Sequence, residues 1–187
     1  MDKVLLTESK DSEVTCSVCS KKLTRYGSKK LQDGILCRNC VKLASSWYDD
    51  KDYAAKTVEQ IKEHLQYREA NKEKLGNFKA EKAVDGKYSL YVDDNARQFV
   101  ISKRENLTKE NADVFDYDQI TNLRIIERKY RNRDGSDIVV EVKLNHPQFE
   151  RLRFRANEFT ALNRESEEYK QAVELAYKYV NALSARK

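Results

Sequence analysis

Four cysteines in two C-x2-C pairs constrain this chain more than anything else in it. The stretch reads Cys16-Ser-Val-Cys19, seventeen intervening residues, then Cys37-Arg-Asn-Cys40, and it holds every cysteine of the 187-residue protein. A two-residue spacer lets both thiolates of a pair turn toward one ion from a tight knuckle. Four such soft donors are the ligand set of a tetrahedral zinc site. Between the pairs, Asp33-Gly34 is a turn dipeptide, and Leu23, Leu31, Ile35 and Leu36 supply a small apolar hairpin. Cys40 to Ser46 reads as the start of a helix. A knuckle, a hairpin and a helix carrying the second pair in its first turn make a treble-clef arrangement. The expectation is one structural Zn²⁺ held by Cys16, Cys19, Cys37 and Cys40. Four thiolates leave no open position for water or substrate, so a catalytic zinc is not expected.

Two other uses of the cysteines compete with zinc. Disulfides need an oxidising compartment, yet residues 1–12 contain five charges and no long apolar run, unlike a secretory signal. A redox-active pair belongs near a βαβ pattern, which this sequence lacks. Reduced cysteines point to a cytoplasmic protein, and no apolar run approaches the roughly 20 residues needed to span a bilayer.

Charge is concentrated on the finger. Lys21, Lys22, Arg25, Lys29, Lys30, Arg38 and Lys42 face only Glu13 and Asp33, so this segment holds essentially all of the net +5. Such an excess can attract nucleic acid or simply keep a small domain in solution. Tyr26 is the single aromatic among these lysines, which favours solubility.

Beyond the finger the sequence divides into further segments, each with its own period. Residues 1–12 are expected to be loosely held, 13–46 to form the finger, 47–76 a linker with a helix, and 77–187 a β domain. Trp47 and Tyr48 are expected to pack back on the finger, and Asp49 to Asp52 to end its helix. Thr57-Val-Glu-Gln60 has the form of a capping box and should start a helix running to about Lys74, closed by Gly76-Asn77. Val58, Ile61 and Leu65 make a narrow apolar stripe on an otherwise charged surface, as in a solvated connecting helix.

From Phe78 onward the period becomes alternating. Tyr88 to Val92 and Gln98 to Ile101 read as a hairpin, Lys103 to Asp113 as a polar loop, and Val114 to Tyr117 as a short strand. Ile120 to Arg131 should be a long strand with an irregularity near Ile125-Ile126, turning at Asn132 to Gly135 into Ile138–Leu144. In the last strand, Leu152 and Phe154 point inward while Arg151, Arg153 and Arg155 alternate outward. A closing helix from about Glu165 to Ala185 places Tyr169, Val173, Ala176, Val180 and Leu183 on one face. The fold class is α+β, with the antiparallel strands capped by that helix.

Leu31-Gln-Asp33-Gly34-Ile-Leu-Cys37-Arg-Asn-Cys40, after Cys16-x2-Cys19, resembles the signature of an uncharacterised family of bacterial and phage proteins with an N-terminal four-cysteine, treble-clef-like zinc domain. Tyr88 to Asn95, the strand pair around Phe115 to Ile120 and the closing helix are similar to bacterial pleckstrin-homology-like domains. That resemblance implies a bent, seven-stranded sheet with a C-terminal helix, used as a docking scaffold without catalysis.

Little in the sequence suggests an enzyme. Its two histidines, His64 and His146, are isolated, and the histidine set of zinc-stapled treble-clef nucleases is missing. Its five glycines form no phosphate-binding loop. Membrane binding is not expected, because Glu105 and Glu110 dilute the basic loop Lys103 to Lys109. The expected function is a non-enzymatic adaptor or regulator docking on another protein, of the kind phages carry as accessory factors. The alternative is a nucleic-acid-binding protein using Lys21, Lys22, Lys29, Lys30 and Arg38 on the finger and the row Arg151, Arg153, Arg155 on the sheet. The same cations would serve an acidic protein partner. That row is also what the outer face of a sheet paired with Glu127, Glu141 or Glu150 would look like.

Overall fold

A computed structural model describes residues 14–23, 26–131 and 134–187. The N-terminal stretch expected to be loosely held, Arg25, and the turn residues Asn132 and Arg133 lie outside the described residues. The architecture is α+β with antiparallel sheets, and it separates into two compact units, the first ending at Gln66 and the second beginning at Tyr67. No helix among the described residues is long and apolar enough to cross a membrane.

In the first unit, two-residue strands β1 (Lys29–Lys30) and β2 (Ile35–Leu36) pair around the Asp33-Gly34 turn. A Cβ on Gly34 would stand 2.5 Å from Ser17 Oγ and 2.7 Å from Val58 Cγ2, so this turn admits only glycine without rearrangement. Helix α1 (Arg38–Leu43) follows with Cys37 at its N-cap. The acidic run does not end this helix. Asp49 instead caps a separate helix, α2 (Asp50–Ala54), its carboxylate accepting from the Lys51 and Asp52 N–H groups. Carboxylates satisfy the orphan donors of a helix start, so a cluster of aspartates opens a helix more readily than it closes one.

Helix α3 (Val58–Asn77) starts at the expected capping box, with Thr57 Oγ1 accepting from the Gln60 N–H and Gln60 Oε1 from the Thr57 N–H. It is not the solvated connector expected from its charge. Ile61 and His64 are fully buried in the first unit, and Arg68, Asn71 and Leu75 are buried in the second. The boundary between the units therefore falls inside one continuous helix. Polar residues line its buried side because their partners lie on other elements, which a periodicity of apolar residues cannot register.

The second unit contains a four-stranded sheet, β3 (Glu81–Val84), β4 (Ser89–Asp93), β5 (Gln98–Ser102) and β6 (Phe115–Asp116), in that spatial order. β3 has no alternating pattern to announce it, since Val84 is its one buried residue. The expected polar loop after β5 contains one helical turn, α4 (Leu107–Glu110), capped by the Asn106 side chain and anchored by buried Leu107.

A three-stranded sheet follows: β7 (Ile120–Lys129), β8 (Ser136–Leu144) and β9 (Arg151–Arg155). The register shift of β7 lies between Ile120 and Asn122, not near Ile125-Ile126. The two isoleucines pair in register with Val140 and Val139, because each face of the sheet offers one apolar position there. At the β7–β8 turn Gly135 adopts φ +102°, and a Cβ on it would lie 2.3 Å from the Ala161 carbonyl oxygen.

Helix α5 (Glu167–Ser184) begins at the Ser166 cap and buries Ala172, Ala176, Tyr179 and Leu183. The buried stripe includes Tyr179 in place of the expected Tyr169, since its ring meets Phe154 edge-on at 5.0 Å and its hydroxyl donates to the Tyr88 carbonyl. A buried tyrosine needs such a partner for its hydroxyl.

Candidate metal centre

The first pair sits in a knuckle whose reversal is closed by the Ser20 N–H donating to the Cys16 carbonyl at 2.9 Å, with Ser20 itself at φ +58°. The knuckle is tied to β2 by two bonds: Ser17 N–H to the Ile35 carbonyl, 2.9 Å, and Ile35 N–H to Ser17 Oγ, 3.0 Å. The second pair is set by α1, whose N-cap is Cys37 and whose first turn carries Cys40. All four Sγ atoms lie within 4.8 Å of one another, with Cys16 and Cys40 3.9 Å apart and Cys19 and Cys37 3.6 Å apart. Four sulfurs at about 2.3 Å from a tetrahedral zinc would be separated by about 3.8 Å. The expected ligand residues therefore come together in a geometry that can hold one metal ion.

Electrostatics point the same way. Burial pushes the Cys16 thiol up, but backbone N–H groups of Cys19, Cys37 and Val18 outweigh it and bring it down to about 6. The Cys37 N–H lies 3.3 Å from Cys16 Sγ. Cys40 moves the opposite way, raised by burial and by the crowding of Cys19, Cys37 and Cys16. Four thiolates cannot share so small a volume without a cation between them.

The surroundings of this centre include a histidine absent from the expected ligand set. Buried His64 accepts the Ser45 N–H on Nε2 at 3.0 Å and stacks on Tyr48 with ring centroids 4.2 Å apart. It is a packing and bonding residue of the first unit. Tyr48 lies against the finger core as the sequence suggests.

The second histidine, His146, stands in an aromatic cluster with Tyr67, Phe115 and Phe149, centroids 5.2 to 5.6 Å away. Its Nδ1 accepts the Gln148 N–H at 3.0 Å. Burial, helped by the Lys74 ammonium, lowers its pKa from 6.5 to about 4. The folded state thus keeps it neutral while the unfolded chain protonates first. Its contribution to stability is present above pH 6.5 and is lost as pH falls toward 4. Protection factors at the buried β8 amides, which correct exchange for its intrinsic slowing in acid, are expected to fall over that interval by on the order of 1–2 kcal/mol after allowance for partial exposure. His146→Phe should remove the pH dependence above pH 5, where carboxylates contribute little. An unchanged slope in that variant would assign the effect elsewhere.

The candidate contact residues fall into two sets. On the finger, Lys21, Lys22, Lys30 and Arg38 are exposed, while Lys29 is half-buried and pairs with Asp50. In the second unit, Arg151, Arg153 and Arg155 share the outer face of the β7–β8–β9 sheet with Arg124 and Arg128, which sequence reading missed. Arg151 pairs with Glu150 at 3.0 Å and Arg153 with Glu141 at 2.5 Å, two of the partners anticipated. Glu127 instead binds Arg164, and Arg155 faces Asp137 at 3.8 Å. Arg124 also holds Glu141, and Arg128 holds Asp137 at 2.9 Å. Burial raises the pKa of Glu141 and Asp137, but their partners prevail and hold both below the ordinary carboxylate range. The signal lay in the sequence: Arg124-x-Ile-x-Arg128 faces Asp137-x-Val-x-Glu141 once the two strands are run antiparallel.

Residues 15–64 match a family model described as a domain of unknown function, DUF4428. The match covers all four cysteines and His64 and ends just short of Gln66, where the first compact unit ends. No curated protein and no solved structure matches the chain.

Proposed function

We propose that this protein is a non-enzymatic adaptor in which a zinc-stapled, treble-clef-like finger accompanies a pleckstrin-homology-like domain that docks on another protein. Zinc suits the finger because thiolates are soft donors, the sulfur spacing meets its tetrahedral bond length, and a site with four protein ligands is closed to substrate. The knuckle, the β1–β2 hairpin and α1 supply the three parts of a treble clef. Four strands followed by three and a C-terminal helix support the pleckstrin-homology-like reading of the second unit.

The observation that carries the adaptor reading is the outer face of the β7–β8–β9 sheet. Its carboxylates are buried and neutralised by arginine, so they are poor general bases. Its guanidinium groups remain partly exposed above them, available to an anionic partner.

Purified from its native host at low salt and treated with nuclease, the full chain is expected to elute with a protein partner in fixed stoichiometry. Co-elution with nucleic acid alone, abolished by nuclease, would overturn the adaptor reading in favour of nucleic-acid binding.

A further inference from the structure

We propose that the outer face of the β7–β8–β9 sheet docks an acidic protein segment carrying an apolar side chain between its carboxylates; this rests on the adaptor reading above. Along this face run Arg124, Ile126 and Arg128 of β7, Val139 between Asp137 and Glu141 on β8, and the arginine row of β9. Arg124, Arg128, Lys143, Arg151, Arg153 and Arg155 outnumber Asp137, Glu141 and Glu150, the partner of Arg151, by three charges. The two carboxylates are 0% exposed, whereas Arg124, Arg128 and Arg153 keep 47%, 60% and 51% of their side-chain surface in solvent. The negative charge therefore lies below and the positive charge above, and the buried carboxylates orient the guanidinium planes in advance. Arginines held this way lose less conformational entropy when they bind a carboxylate.

The centre of the face is apolar. Ile126 and Val139 are cross-strand partners, and both line a cleft of about 530 Å³ together with Arg128, Lys129, Arg153, Arg155 and the carboxylate Glu127, which Arg164 neutralises. An apolar side chain of the segment would be seated there, among cations that outnumber that one carboxylate. The aromatic rings at hand offer little to a nucleic-acid base. Tyr88 has Phe154 at 5.3 Å and the Lys103 ammonium 4.9 Å from its ring, and Tyr130 has the Arg128 guanidinium at 5.7 Å. Single-stranded nucleic acid is gripped by bases stacking on open aromatic faces. An aliphatic floor under arginines instead fits acidic residues flanking a leucine or isoleucine.

The test uses the full zinc-loaded chain and fluorescence anisotropy at two salt concentrations. The probe is a labelled peptide, Asp-Glu-Asp-Glu-Leu-Glu-Asp-Glu-Asp, compared with its Leu→Ser version and with a short mixed-sequence DNA duplex. The leucine peptide is expected to bind more tightly than the other two and to weaken with salt. Arg153→Gln with Arg155→Gln should weaken it about tenfold, at up to about 0.7 kcal/mol per charge. That pair is chosen because Glu141 keeps Arg124 and Asp137 keeps Arg128, so no buried carboxylate is stranded. Lys143→Gln with Arg151→Gln, which touches neither buried carboxylate, should weaken binding in the same direction. Ile126→Ala should reduce affinity for the leucine peptide and leave the serine peptide unaffected. Tighter binding of the duplex, or peptide affinity unmoved by both double variants, would overturn the proposal. If the peptide fails while the native chain still holds a nuclease-resistant protein partner, the acidic segment is excluded as the occupant of this face and the adaptor reading survives.

Discussion

Cys37→Ser is expected to unfold the first unit while the second stays folded. Without the metal, the finger is held by a core of Leu31, Leu36, Ala44, Tyr53 and Ile61 around the cysteines, too little apolar surface for independent stability. Structural zinc sites contribute about 10–16 kcal/mol of apparent binding free energy at neutral pH, and that energy is folding energy. Removing one of four ligands forfeits a large part of it. Cys37 caps α1 with no side-chain hydrogen bond and serine is a good N-cap, so the loss is that of the metal ligand and not of the helix start. Hydrogen exchange should rise to unfolded rates through the finger and into α3, then fall back to protected values after Tyr67, where the second unit begins. Chelation of the metal from the unaltered chain should reproduce this pattern. Native-like protection in the finger of either sample would show that the metal is dispensable for folding.

Arg68→Met is expected to produce the largest loss of stability in the second unit. The Arg68 and Asp113 side chains are 6% and 2% exposed, with Nη1 and Oδ1 2.6 Å apart. Arg68 also reaches the Glu110 carbonyl, and neighbouring Asn71 bonds Asn111, the Ala112 carbonyl and the Val114 N–H. Together these bonds hold the second half of α3 in place within its unit. Deleting the guanidinium removes the cation paired with a buried carboxylate, which costs about 3–5 kcal/mol. With a urea m-value of about 1–3 kcal/mol/M, the unfolding midpoint of that unit should fall by at least 1 M. Arg68→Met combined with Asp113→Leu should recover most of the loss, because the pair's own attraction is largely offset by desolvation. A single variant within about 1 kcal/mol of the parent would mean that Asp113 finds water or another partner.

The contrast between these two sites explains what could be read in advance. The four-thiol centre was legible because its cysteines are close in sequence and their chemistry is specific: two C-x2-C pairs leave few alternatives. The strands from Ser89 to Arg155 were legible for a different reason. A sheet with one buried face imposes a period of two, and Leu152 and Phe154 alternating with three arginines display it directly. β3 and α4 were not, since each is anchored by a single buried apolar residue, Val84 or Leu107, and a period needs several.

Polar burial is what the one-dimensional pattern misread. Arg68, Asn71 and His64 count as solvent-facing in any hydrophobic profile, yet each is buried with its polar atoms bonded. Glu141 and Asp137 count as surface carboxylates, yet both are covered by arginines from flanking strands. The sequence by itself determined the four-thiol centre, the capping box of α3, the long hairpin and the closing helix, because each depends on neighbours within a few turns or on strict alternation. Only the tertiary structure decided which charged residues lie inside, how α3 divides between two units, and that one sheet face carries arginines above hidden carboxylates. Burying a charge is favourable only when a partner from a distant element meets it, and that meeting exists only once the chain has folded.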